Sequence, residues 1–219
     1  MCIRDRGLTG GGSQGLDIVL VIDLSPSMMQ NGRLNSLKKT LLGYRQNGYE
    51  KAGFIDQVLG NGTSEISNPN NRIAVATYTK TGQIEQDWTH DKDKVKGTIG
   101  KLTTSGATNY EAGLVKAQEL LENRGESKNI PVVIFFSDGL PSCYNSPEGS
   151  FENGSTVGGR NSEPTEDVGD ETIFVAGEFH KYMEKIQGVT YGVGFGMPSS
   201  ANSYKVYEPA QYLLSLIHI

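Results

Sequence analysis

Two kinds of apolar pattern alternate along the chain. Three short runs, "LDIVLVID" (16–23), "RIAVATYT" (72–79) and "IPVVIFFSDG" (130–139), are nearly continuous and rich in β-branched residues. The first reads as a strand buried on both faces, the third as a buried strand like it, and the second as a further strand. A fourth, "GVTYGVGFG" (188–196), is looser but still strand-like. Between them, apolar residues recur at helical spacing: Leu34, Leu37, Leu41 and Tyr44; then Phe54, Ile55, Val58 and Leu59 beyond Gly48 and Gly53; Val95, Ile99 and Leu102; Leu114, Ala117 and Leu121; Ala176, Phe179, Met183 and Ile186. "GQIEQDW" follows the second strand after a Lys-Thr-Gly turn, which predicts a hairpin partner at the sheet edge. Alternation of strand and helix with one hairpin predicts an α/β fold. Its sheet is doubly wound and mostly parallel, with one antiparallel edge hairpin and helices on both faces.

Composition narrows this little. With 219 residues, 36% of them hydrophobic, the chain can bury one sizeable core. A net charge of −5 speaks against nucleic acid or an anionic membrane as partner, and no apolar run is long enough to cross a bilayer. The two ends, "MCIRDR" and "LSLIHI", fit no neighbouring element and resemble translated sequencing-adapter read-through. The expected organisation is an artefactual or flexible leader over 1–15, one domain over 16–213 and an artefactual tail over 214–219, the domain being a piece of a longer protein. Setting the leader aside removes Cys2 and leaves Cys143 as a free loop thiol.

The chemistry gathers where strands end. Asp23 closes the first strand and Asp138 the third, and ligands of such sheets sit beyond those carboxyl ends. Two carboxylates brought together repel unless a cation lies between them. Ser25 and Ser27 bring hydroxyls to the same edge, and Thr108 can bring another from the polar loop 103–109. Five oxygen donors without thiolates or paired imidazoles suit Mg²⁺, Mn²⁺ or Ca²⁺. If the hydroxyls bind directly and the aspartates largely through water, the ion stays hungry for an outside carboxylate.

"DLSPS" (23–27), "GAT" (106–108) and "SDG" (137–139) together resemble the von Willebrand factor type A domain and its metal-ion-dependent adhesion site. The resemblance implies that Ser25, Ser27 and Thr108 touch the metal, with Asp23 and Asp138 bound directly or through water. It implies a protein partner offering a carboxylate, such as a host matrix protein. "GATNYEAGL" and "VVIFFSDG" are most similar to bacterial surface adhesins and pilus-tip proteins. An extracellular place on the cell surface or wall, beside other domains of one longer chain, follows from that likeness. Two departures stand out. The family's final strand and helix after Gly196 are missing or replaced, a C-terminal truncation. The connection 140–171 is long and acidic, as an insertion beside the site.

Other readings carry less. Glu111, three residues after Thr108, has capping-box spacing. Ser137 reads as an ordinary strand-end residue, and Trp88 as cover for the sheet edge. A phosphatase of the haloacid dehalogenase type needs a second aspartate where Ser25 stands, and no Gly-x-Ser-x-Gly elbow marks a serine hydrolase. No enzymatic role is therefore expected. An intracellular assembly or chelatase-type subunit remains the alternative function.

Overall fold

The computed structural model describes residues 14–60, 64–138, 141–145 and 166–195. Among these residues seven strands and five helices follow in order: β1 (Leu16–Asp23), α1 (Arg33–Leu42), β2 (Gly43–Gln46), β3 (Tyr49–Ala52), α2 (Phe54–Val58), β4 (Arg72–Tyr78), β5 (Gly82–Thr89), α3 (Lys92–Lys101), α4 (Tyr110–Glu122), β6 (Ile130–Ser137), α5 (Glu166–Lys185) and β7 (Val189–Gly194). A tight helical segment, Pro26–Gly32, joins β1 to α1. The main sheet has the order β5-β4-β1-β6-β7. It is parallel except for the β4–β5 hairpin at one edge. The predicted fold class is the observed one.

Alternation along the buried strands explains the layers. Val19, Val21, Ala74, Ala76, Val133 and Phe135 face one way and pack under α4 and α5 through Leu114, Leu121, Val175 and Phe179. Ile18, Leu20, Ile22, Ile73 and Val75 face the other way, against Leu34, Leu37 and Leu41 of α1, with Ile55 of α2 and Val95 and Ile99 of α3. Each fully buried aliphatic side chain contributes on the order of 1.5–3 kcal/mol. That double-sided core holds the strand ends in place although several of them carry buried polar groups. β1 lies between β4 and β6, with Asp23 opposite Tyr78 in register and Ile22 opposite Phe136.

The opposite edge of the sheet has its own charge pair. Asp17, fully buried, takes Arg72 Nε on Oδ1 (2.9 Å) and Nη2 on Oδ2 (2.8 Å). Asn129 Nδ2 adds a third bond to Oδ1 (2.8 Å). Burial alone would raise this carboxyl; the hydrogen bonds of Arg72, Ser127 and Asn129 and the Arg72 charge bring it below its usual value. The Arg72 guanidinium also lies 5.2 Å from the Trp88 ring centre, and Trp88 Nε1 donates to Leu120 O (2.9 Å). Trp88 thus covers the β5 edge, as expected.

Three local expectations are corrected. The first helical stripe ends at Leu42, so Tyr44 is not helical: it lies on a small exposed hairpin of β2 and β3. Asn47 and Gly48 turn that hairpin with φ of 51° and 82°, the left-handed pair that a two-residue hairpin requires. Gly43 opens it at φ 83°, and a Cβ there would strike the Lys51 carbonyl. Second, α4 is capped by Asn109, whose side chain accepts from Ala112 N (3.1 Å), so Thr108 and Glu111 do not form a capping box. Third, α5 begins at Glu166, so the last residues assigned to the acidic connection belong to a helix. Residues 140 and 146–165 of that connection, the leader through residue 13 and everything after Phe195 lie outside the described residues, and with them the expected truncation and tail.

Candidate metal centre

Asp23 is the last residue of β1, and its carboxylate is buried. Oδ1 accepts from the backbone N–H of Ser25 (2.7 Å) and Oδ2 from Ser137 Oγ (2.9 Å). Tyr110 OH donates in turn to Ser137 Oγ (2.7 Å), so a three-residue relay fixes the carboxylate plane. Burial pushes the Asp23 carboxyl up to about 6; the Ser25 and Ser137 hydrogen bonds oppose that, and the negative charge of Asp138 adds to it.

The loop after Asp23 turns at once. Pro26 starts the tight helical segment, and buried Met28 plugs it into the core. Ser25 and Ser27 then point to one place: their hydroxyls lie 2.9 Å apart, and Ser27 Oγ donates to Asp138 Oδ1 at 2.7 Å. Because Ser27 gives its proton to Asp138, Ser25 is the donor within the serine pair. Asp138, one residue past β6, is buried as well. Its Oδ2 accepts from Arg33 Nη1 at 2.5 Å, and the same nitrogen reaches Ser27 O at 3.4 Å.

Four of the five expected residues, Asp23, Ser25, Ser27 and Asp138, therefore share one hydrogen-bonded cluster at the carboxyl edge of β1 and β6. Thr108 stands apart from that cluster but on the adjoining loop. Ser105 N bonds Leu24 O (2.7 Å) and Asn109 N bonds Thr79 O (2.9 Å), which fastens loop 103–109 along the same edge. Gly106, at φ 72° and tight against Thr79, makes the turn that a side chain would strain. Thr108 is buried and fixed by its backbone: N donates to Ser142 Oγ (3.0 Å), and Ser142 N returns a bond to Thr108 O (2.8 Å).

Three contributors escaped the sequence reading. Arg33 was invisible because its partner is 105 residues away. Ser137 does more than end a strand, since it orients Asp23. Tyr110 carries no motif signal of its own, yet its hydroxyl donates to Ser137 in the site. Cys143, by contrast, is free as expected but buried, and burial raises its thiol pKa first of all.

The donor set fits a hard divalent cation. Its clustered oxygens are those of two carboxylates, whose charges oppose one another, and two serine hydroxyls, with Thr108 on the adjoining loop; among the described residues the Arg33 guanidinium is the cation bonded to them.

A doubly wound sheet with an oxygen-rich rim at its switch point defines the class. The chain belongs to the von Willebrand factor type A domain family, whose model matches residues 18–140. Among solved structures it is similar to three N-terminal domains of the type V pili tip protein Mfa5 from Porphyromonas gingivalis, at 15% identity and TM-score 0.63, covering 93% of this chain and 45% of that one. It is also similar to the PilB minor pilin from Streptococcus sanguinis, at 13% identity and TM-score 0.58, covering 94% and 55%. A third is proximal thread matrix protein 1 from the mussel byssus with a zinc-occupied MIDAS motif, at 19% identity and TM-score 0.54, covering 93% and 39%. At such identities the likeness establishes the fold. The chain spans 45% of the Mfa5 structure and 55% of the PilB structure. Comparison with curated proteins returned no match.

Proposed function

We propose that this domain is a metal-dependent ligand-binding module of a bacterial surface or pilus protein. In this reading Asp23, Ser25, Ser27, Thr108 and Asp138 hold Mg²⁺, with Mn²⁺ or Ca²⁺ as substitutes. When bound, the ion supplies an open coordination position for an acidic side chain of a protein partner. The chain's own residues do the rest. The relay from Tyr110 through Ser137 holds Asp23 in one orientation. The short Ser25–Ser27–Asp138 chain preorganises hydroxyl and carboxylate oxygens at one rim, so little ordering remains to be done on binding.

The observation carrying this reading is the Ser25–Ser27–Asp138 cluster, which joins residues 111 positions apart at the edge where such sheets bind ligands. The pilus-protein neighbours support the surface location, and the zinc-occupied MIDAS motif of the mussel protein supports the metal. As in those longer chains, other domains of the same protein would accompany this one, and many copies on one surface would supply avidity. We assign the domain no reaction. Among the described residues no helix is long and apolar enough to cross a membrane.

Thermal melts with and without Mg²⁺ test the reading. The wild-type melting temperature rises with Mg²⁺ and that of Asp23→Ala does not. Equal shifts in both proteins would refute the assigned site.

A further inference from the structure

Two side-chain atoms stand out on the other side of the sheet's edge. Among the described residues, Glu111 Oε1 and Glu171 Oε1 are the buried side-chain oxygens without a hydrogen-bond partner. Buried carboxylate oxygens are costly to leave bare, and an orphaned pair calls for an explanation. Glu111 is 1% exposed, in the first turn of α4; Glu171 lies near the start of α5. The two helices pack side by side on one face of the sheet through Leu114, Leu121, Val175 and Phe179.

The surroundings are built for a cation. Glu111 Oε2 accepts from Asn145 N (2.6 Å), which holds the carboxylate with its other oxygen turned free. Asn145 is itself fixed, since its Oδ1 accepts from Asn109 Nδ2 (2.8 Å). No Lys, Arg or His forms an ion pair with either glutamate among the described residues. Burial raises the Glu111 carboxyl first of all, the Asn145 backbone bond opposes it, and the charge of Glu171 raises it further.

We propose a second divalent-cation site in which the free oxygens of Glu111 and Glu171 hold Ca²⁺ between the start of α4 and α5. Oxygen-only ligation by two carboxylates, completed by water, suits Ca²⁺ better than Mg²⁺, which demands a stricter octahedron. With so few protein ligands the affinity falls on the order of 10⁻⁴–10⁻³ M, the range of extracellular modules. The consequence is mechanical. Glu111, Glu171 and Asn145 come from α4, α5 and the segment after β6, so the ion ties the two ends of the long acidic connection to the sheet. Ser142 and Cys143, in that same segment, bond Thr108 O through their backbone N–H groups. Filling this site stiffens the loop that presents Thr108.

Calorimetric titration of the full chain with Ca²⁺ tests the site, in an Asp23→Ala background that disables the first centre. Asp23→Ala retains one calcium-binding event, and adding Glu111→Gln or Glu171→Gln weakens it at least tenfold. Loss of all calcium binding in Asp23→Ala, or binding unchanged by either glutamine, would overturn the proposal. Melting temperatures guard against misfolding. Without Ca²⁺, Glu171→Gln melts at or above its parent because a like-charge repulsion is gone; with 10 mM Ca²⁺ (about 10 to 100 times the expected dissociation constant) the order reverses. A glutamine variant less stable in both conditions would instead mean that the two acids share a proton, and would end the claim. Mg²⁺ binding by Glu171→Gln in the Asp23-containing protein reports on the first centre alone, so failure of one site is distinguishable from failure of the other.

Discussion

Arg33 Nη1 lies 2.5 Å from Asp138 Oδ2, while Oδ1 of the same carboxylate accepts from Ser27 at 2.7 Å. One buried carboxylate is thus shared between a protein cation and the hydroxyl rim. The guanidinium steadies Asp138 but also places a positive charge where a metal ion would have to approach. Arg33 therefore tunes the proposed centre from within the protein.

Removing that charge favours the metal. Arg33→Ala is expected to tighten Mg²⁺ binding roughly five- to tenfold, equivalent to about 1 kcal/mol for one like charge in partly screened surroundings. Arg33→Lys keeps the charge and stays near wild type. Calorimetry at constant ionic strength distinguishes them, and weaker binding in Arg33→Ala would mean that Arg33 positions Asp138 more than it repels the ion.

The relay behind Asp23 gives a second expectation. Ser137→Ala leaves Asp23 Oδ2 without its hydroxyl donor and costs about 1–3 kcal/mol of stability. It also weakens Mg²⁺ binding roughly tenfold or more, as lost supporting hydrogen bonds around metal ligands do. Tyr110→Phe removes only the outer link and has the smaller effect on both. Urea denaturation paired with metal titration measures the two losses. A Ser137→Ala protein that binds Mg²⁺ like wild type would show that Asp23 needs no orienting partner.

The far edge of the sheet sets a pH dependence. Asp17 titrates below its ordinary value in the folded protein, so folding favours its ionised form. Its contribution is present above the unfolded value, near 3.8, and fades as pH falls through the lower folded value. Asp17→Asn should cost about 2–4 kcal/mol at pH 7, because it strands Arg72 beside a neutral amide. The gap between the two proteins should narrow below pH about 4. A gap independent of pH would mean that packing, not charge, holds this corner.

Much of this architecture was legible because strand burial and helix periodicity are local. The β1 and β6 runs announce themselves, and the aspartates that end them break the apolar pattern sharply. The β2–β3 hairpin was overlooked for an equally local reason. The stripe Leu34, Leu37, Leu41 extends by arithmetic to Tyr44, and it masked the Asn47-Gly48 turn signal. Thr108 and Glu111 matched a capping-box spacing, but Asn109 is the better-placed cap and frees Glu111 to reach Asn145. Arg33 and Ser137 could not be found locally at all, because their roles depend on partners more than a hundred positions away.

The hairpin supplies a control. Gly43→Ala forces a Cβ into the Lys51 carbonyl at a positive φ and should destabilise the fold by about 2 kcal/mol or more. Gly48→Ala, also at positive φ but with open space around it, should cost about 1 kcal/mol. Neither should change Mg²⁺ affinity, and a change in both would tie the hairpin to the metal edge.

Anomalous diffraction from crystals grown with Mn²⁺ tests the central claim most directly. A single strong peak enclosed by the oxygens of Asp23, Ser25, Ser27, Thr108 and Asp138, with Arg33 beside it, is the result this account predicts. Crystals diffracting well, with no peak among those five residues at saturating Mn²⁺, would contradict it.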